Sequence, residues 1–190
     1  MYDTGPRGTS GSPLVCLPPI SATADVFFRQ ALALSVKGYR VLAVESPAYW
    51  SLDDWCKGFK ELLDHLNLEK VHILGAALGG FLGQKFVEFT RPCPRVASLV
   101  LCNSFTDTGI FRHTEESSTF WVMPALVLRS LVMRGLEVNS KDPDILAASD
   151  FILERLESLG QEELASRLTL TTAPAHVEPQ NVNDLMVRII

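Results

Sequence analysis

The sequence predicts an α/β protein: a mainly parallel sheet of about five strands, flanked by helices and interrupted late in the chain by a helical cap. Three observations predict it. Short, apolar, β-branched runs alternate with helical patterns as far as Cys102, the rhythm of successive β-α-β units. The run Val71–Leu74 flows directly into Gly75-Ala76-Ala77-Leu78-Gly79 and then into a helical pattern, which is the strand–turn–helix setting of a G-x-S-x-G nucleophile elbow. Between residues 110 and 172 the strands cease and helical patterns follow one another, until Leu185–Ile190 reads as a strand again. Residues 1–190 are therefore expected to form a single domain, with residues 108–180 as the cap over the carboxyl ends of the strands.

Each element has its own signal. Ser12–Leu17 reads as a strand closed by Pro18-Pro19, after a flexible lead-in "TGPRGTSGSP". A helix from about Ala24 to Val36 has Asp25 near its start and Gly38 just past its end. Tyr39–Glu45 is the next strand, stopped by Ser46-Pro47. Ser51 then caps a helix in which Asp54 holds the capping-box position, and Trp55, Phe59, Leu62, Leu63 and Leu66 form one apolar stripe. Val71–Leu74 lacks polar alternation beyond His72, which suits a central strand covered on both faces. Leu78–Phe89 is helical and ends at Arg91-Pro92, and Val96–Cys102 is another buried strand. In the cap the clearest helices are Ile145–Leu159, introduced by Asp142-Pro143, and Glu162–Leu170, preceded by Gly160.

Composition narrows the function classes. The chain is 47% hydrophobic with a net charge of −5, and its 17 Lys and Arg are scattered, so no basic stripe speaks for nucleic acid. The longest apolar run, Phe120–Leu128, contains Pro124 and is about half the roughly twenty residues that a membrane-spanning helix needs. The N-terminus lacks a charged region followed by an apolar stretch, so it does not read as a secretory signal. Cys16, Cys56, Cys93 and Cys102 lie far apart and read as reduced thiols in a cytoplasmic protein, and His65, His72, His113 and His176 form no ligand pair. Neither a metal nor any other cofactor is expected.

The elbow lacks its chemistry in three respects. Ala77 stands at the nucleophile position, and a methyl group cannot attack a carbonyl. Ser104 and Ser21 lie near strand ends, where a cap or turn role is the simpler reading than nucleophile. An oxyanion hole would take one N–H from Leu78 and one from the loop after the first predicted strand. That loop reads Leu17-Pro18-Pro19-Ile20-Ser21, and proline has no N–H; Ile20 or Ser21 would have to serve if the register differs. Asp107 is placed where some hydrolases carry the acid, though an aspartate in "SFTDT" is more simply a turn residue, and no triad histidine follows the last strand. In the cap, Phe120, Trp121, Val122, Met123 and Leu126 are either the closure over the strand ends or a contact surface for another protein.

The stretches "LPPISATADVFFRQALAL", "GYRVLAVESPAYW", "FKELLDHLNLEKVHILGAALGGFLGQKFVEFT", "RVASLVLCNSFTDT" and "RLESLGQEELASRLTL" together resemble the maspardins, a family with the α/β-hydrolase fold. The resemblance runs over nearly the whole chain. It implies a hydrolase fold with a helical cap and a non-catalytic, protein-binding role. It further implies a cytosolic protein with peripheral association to endosomal and trans-Golgi membranes. The implied partner is the cytoplasmic tail of a T-cell co-receptor, with negative regulation of T-cell activation as the outcome. The family's elbow reads GASLGG, so Ala77 stands where the family has serine. By the same resemblance two leading strands and the last strand with its helix are expected to be missing. The remaining five would pair in the family's order 4-3-5-6-7 with raw edges on both flanks. The isolated chain is then expected to be marginal, melting below the ~50 °C usual for intact mesophile domains.

Overall fold

The sheet of the computed structural model has the order β1-β3-β2-β4-β5-β6, and the structure describes residues 1–7, 11–111, 119–134 and 141–190. The strands are β1 (Tyr2–Thr4), β2 (Leu14–Leu17), β3 (Val41–Ala43), β4 (Val71–Ala76), β5 (Val96–Cys102) and β6 (Met186–Ile189). From β3 to β6 every neighbouring pair is parallel, so the expected five-strand block is present in the expected order. β4 lies at its centre, between β2 and β5.

Alternation along the strands divides the core. Val15 and Leu17 of β2 join Leu42, Ile73 and Leu99 on the face covered by α2 (Leu52–His65) and α3 (Leu78–Phe89). Cys16 points the other way and packs with Val41, Ala43 and Phe27 beneath α1 (Phe28–Val36). On the first face Trp55 stacks on Phe59 with centroids 5.1 Å apart, and Phe59 meets Phe86 edge-on at 4.7 Å, both favoured aromatic geometries. Ser51 Oγ accepts the Asp54 N–H at 3.1 Å, as the capping signal predicts. The first turn of the α1 region, Ala24–Phe27, is a 3₁₀ helix.

A strand that the sequence did not announce precedes the N-terminal lead-in, so one flank of the block is not raw. Tyr2–Thr4 pairs antiparallel with β3, with Thr4 opposite Val41. Three residues carry no readable periodicity, and a long-range ion pair supplies the reason. Arg40 donates from Nε and Nη2 to the two carboxylate oxygens of Asp3, each at 3.0 Å, a bidentate arrangement with both side chains largely covered. These hydrogen bonds hold the Asp3 carboxyl below the usual carboxylate range. A carboxyl depressed in the folded state stabilises above its ordinary pKa of about 3.9 and loses that contribution as pH falls through the lowered value. Asp3→Asn is expected to cost about 1–2 kcal/mol near neutrality. Urea melts at several pH values check this: a parent–variant gap that persists undiminished well below pH ~4 refutes the assignment.

The cap contains α4 (Ala125–Met133), α5 (Pro143–Ser158) and α6 (Gln161–Thr172), which share a core of their own around Phe120, Leu128, Leu156 and Leu164. It is fastened to the sheet domain at three places. Ser166 Oγ accepts the Tyr49 N–H at 2.9 Å and donates to the Tyr49 carbonyl at 2.7 Å. Arg167 Nη1 donates to the carbonyl oxygens of Ala22, at 2.6 Å, and Ile20, at 3.3 Å. Arg155 pairs with Asp25 at 3.1 Å.

Candidate functional site

The elbow forms because glycine alone fits around it. An added Cβ on Gly75 would lie 2.4 Å from the Gly80 Cα, and one on Gly79 would lie 2.2 Å from the Leu17 carbonyl oxygen. Those contacts are backbone and cannot yield. Ala77 sits at φ 45°, ψ −112°, the strained backbone of a nucleophile position, although its side chain is only a methyl. Such a conformation costs about 1–3 kcal/mol and survives only where the surroundings impose it. Here they do: the Ala77 N–H donates to the Cys102 carbonyl at 2.9 Å, and its own carbonyl receives Gly80 and Phe81 N–H groups, both at 3.1 Å.

Ser104 stands beside the elbow. Its Oγ donates to the Ala77 carbonyl at 3.2 Å, and Gln84 Nε2, from a buried side chain, donates to Ser104 Oγ at 3.4 Å and to the Phe105 carbonyl at 3.0 Å. Ser104 therefore fastens the end of β5 to the turn, with no base among these partners to activate it. Ser21 is buried in the loop after β2.

That loop presents oxygen to its neighbours. Leu17 and Pro18 carbonyls press on Gly79, Ile20 and Ala22 carbonyls accept from Arg167, and the Ala22 N–H turns back to the Pro19 carbonyl at 3.4 Å. Pro18 and Pro19 line one cavity with Leu78 and Gly79, so the sequence brought the right segments together. Leu78 is the first helical residue of α3, where amides have no intrahelical acceptor.

Asp107 is not part of this group. It is exposed, its Oδ1 accepts the Gly109 N–H at 2.7 Å, and its backbone bridges to His176, so it is a turn residue. His176 pairs with Glu178 at 2.6 Å, and His72 with Ser98 across β4 and β5 at 2.7 Å; His113 lies outside the described residues. The aromatic candidates separate. Phe120 is 1% exposed and Met123 packs against the same cap core, so the expected contact surface does not include Phe120. Trp121 is 66% exposed and Leu126 is 78% exposed, so these two stay available as contact material.

Arg167 is a residue that the sequence reading passed over. It lines the cavity beside the elbow and is 9% exposed, yet an arginine in "ASRLTL" reads as an ordinary solvent-facing helix residue. Among the described residues no three His, Cys, Asp or Glu gather to hold a metal, and no helix is long and apolar enough to cross a membrane.

No protein-family profile matches the chain. It is 54% identical to human maspardin over 190 residues, covering all of this chain and 61% of that one. Against rat maspardin the identity is 53%, over all of this chain and 72% of the relative. The chain thus spans about three fifths of the human relative's length. Its backbone superposes on a carboxylesterase of the thaumarchaeon Nitrososphaera gargenis with a TM-score of 0.74 at 18% identity, over 100% of this chain and 84% of that one, a likeness of fold alone. Sequence identity along the whole chain and a shared α/β-hydrolase architecture make this chain a member of the maspardin family.

Proposed function

We propose that this chain is a non-catalytic member of its fold that works by binding other proteins. The observation that carries the reading is the elbow itself: the strained turn is kept in full while Ala77 supplies no nucleophile. The prolines at Pro18 and Pro19 and the turn role of Asp107 support it. In place of a reaction the cap offers exposed apolar side chains, Trp121, Val122 and Leu126, as contact material. By family kinship the partner is the cytoplasmic tail of a T-cell co-receptor, and the protein is cytosolic with peripheral attachment to endosomal and trans-Golgi membranes.

A second reading is a serine esterase whose nucleophile has been replaced by Ala77, and the preserved strain at that residue favours it. Ala77→Ser decides between them. We expect no fluorophosphonate labelling and no p-nitrophenyl ester turnover above background; labelling that depends on the restored hydroxyl would establish the esterase reading instead. The binding surface has its own check. Trp121→Ser with Leu126→Ser is expected to weaken capture of a co-receptor tail peptide by about tenfold while leaving the melt unchanged. Undiminished capture, or a collapsed melt, would return these side chains to a structural role.

A further inference from the structure

The cavity between the elbow and the cap has a volume of about 260 Å³, just under the ~300–1,000 Å³ of pockets that take drug-sized ligands. Its walls are mostly apolar, with Leu17, Val44, Trp55, Phe59 and Leu82 among them. Three charged residues line it: Glu45, Glu163 and Arg167. Both carboxylates already hold a backbone amide, Glu45 Oε1 that of Ala24 at 3.1 Å and Glu163 Oε2 that of Gly160 at 2.9 Å.

Arg167 is different. Its hydrogen bonds leave from Nη1 alone and end on the neutral carbonyls of Ile20 and Ala22, and no carboxylate of the described residues lies within ion-pair distance. Nε and Nη2 therefore have no acceptor among the described residues, yet neither is fully sealed from solvent, and Arg167 lines the cavity. Burial costs a cation several kcal/mol unless a counter-charge offsets it. Desolvation indeed pulls the guanidinium below the ordinary arginine range, with Glu163 and Glu45 offsetting it only in part. Leu78, at the positive end of the twelve-residue helix α3, lines the same space.

We infer that this cavity binds a small apolar monocarboxylate, its carboxylate on the Nε–Nη2 edge of Arg167 and its hydrocarbon part among Leu17, Trp55, Phe59 and Leu82. The guanidinium edge presents two parallel N–H groups, the geometry that a planar carboxylate meets bidentately. The volume limits the occupant to a short aliphatic or single-ring acid. Nothing in the inference depends on the protein-binding role of Trp121, so either can fail alone.

Calorimetry and saturation-transfer NMR on the whole chain test it, with hexanoate and phenylacetate set against the neutral hexanamide and phenylacetamide. The acids are expected to saturate one site at least about tenfold more tightly than the amides, and Arg167→Gln to erase that preference. If Arg167→Gln does not fold, the acid-to-amide ratio on the unaltered protein decides by itself. Equal binding of acid and amide, or no saturation by either acid below ~10 mM, overturns the inference. So does capture of a peptide through its free C-terminal carboxylate where hexanoate fails, which would make the site a peptide reader.

Discussion

Gly79→Ala is expected to leave no soluble, cooperatively folded protein. The new methyl would sit 2.2 Å from the Leu17 carbonyl oxygen, 2.6 Å from its carbon and 2.7 Å from the Pro18 oxygen. All three are main-chain atoms of the segment that pairs Leu17 with Gly75 in the centre of the sheet. Relief requires β2 and α3 to part, which breaks the β2–β4 ladder and opens the core around Ile73 and Phe81. The loss is expected to exceed about 4 kcal/mol, comparable with the whole stability of an ordinary domain. Gly11→Ala is the control, because nothing lies within 4 Å of its added Cβ. Soluble yield and near-ultraviolet dichroism read the result. A Gly79→Ala protein that melts like the parent would mean the elbow is not clamped against the loop as described.

The second large effect concerns β6. Among the described residues this strand pairs only with β5, which leaves its outer side an open ladder, and Met186, Val187, Ile189 and Ile190 are all exposed. Ile189 is 79% exposed. An apolar edge with free N–H and C=O groups is a template for another chain. Self-association is expected in sedimentation velocity at concentrations above roughly 10 μM, and Ile189→Lys is expected to restore a monomer by putting a charge on the edge. Phe28, Leu32 and Val36 on α1 form the rival apolar surface, so Leu32→Lys is the comparison. If Leu32→Lys dissolves the assembly and Ile189→Lys does not, association runs through the helix face.

The central strands were legible because one face is buried and the other half-covered. That leaves short, mainly apolar runs at Val71–Leu74 and Val96–Cys102, interrupted only by single polar residues at His72 and Ser98. The helix α2 announced itself through Ser51, Asp54 and a stripe at helical spacing. What stayed hidden depends on partners far away in the chain. β1 is too short to carry a pattern and is secured by Asp3 reaching Arg40, thirty-seven positions on. Arg167 looked like a solvated helix residue because its acceptors, the Ile20 and Ala22 carbonyls, lie about 145 residues earlier. Within "FWVM" nothing local separates the buried Phe120 from its exposed neighbour Trp121; the 3₁₀ turn there does that. The elbow was readable as a backbone feature, because Gly75 and Gly79 flank it. The support that Ser104 and Gln84 give to that turn was not, since serine and glutamine occur everywhere.

The ties at Ser166, Arg167 and Arg155 give the cap a mechanical character. Each joins it to the segments that follow β2 or β3, near Ala22, Asp25 and Tyr49, so it cannot swing away as a hinged lid without breaking several bonds together. Trp121 shares in this framework, since its carbonyl receives Gln161 Nε2 at 3.4 Å at the start of α6. A pull applied at Trp121 is therefore borne by α6 and passed to the loops beneath the sheet's carboxyl edge, and the cap serves as a stiff handle for the whole domain.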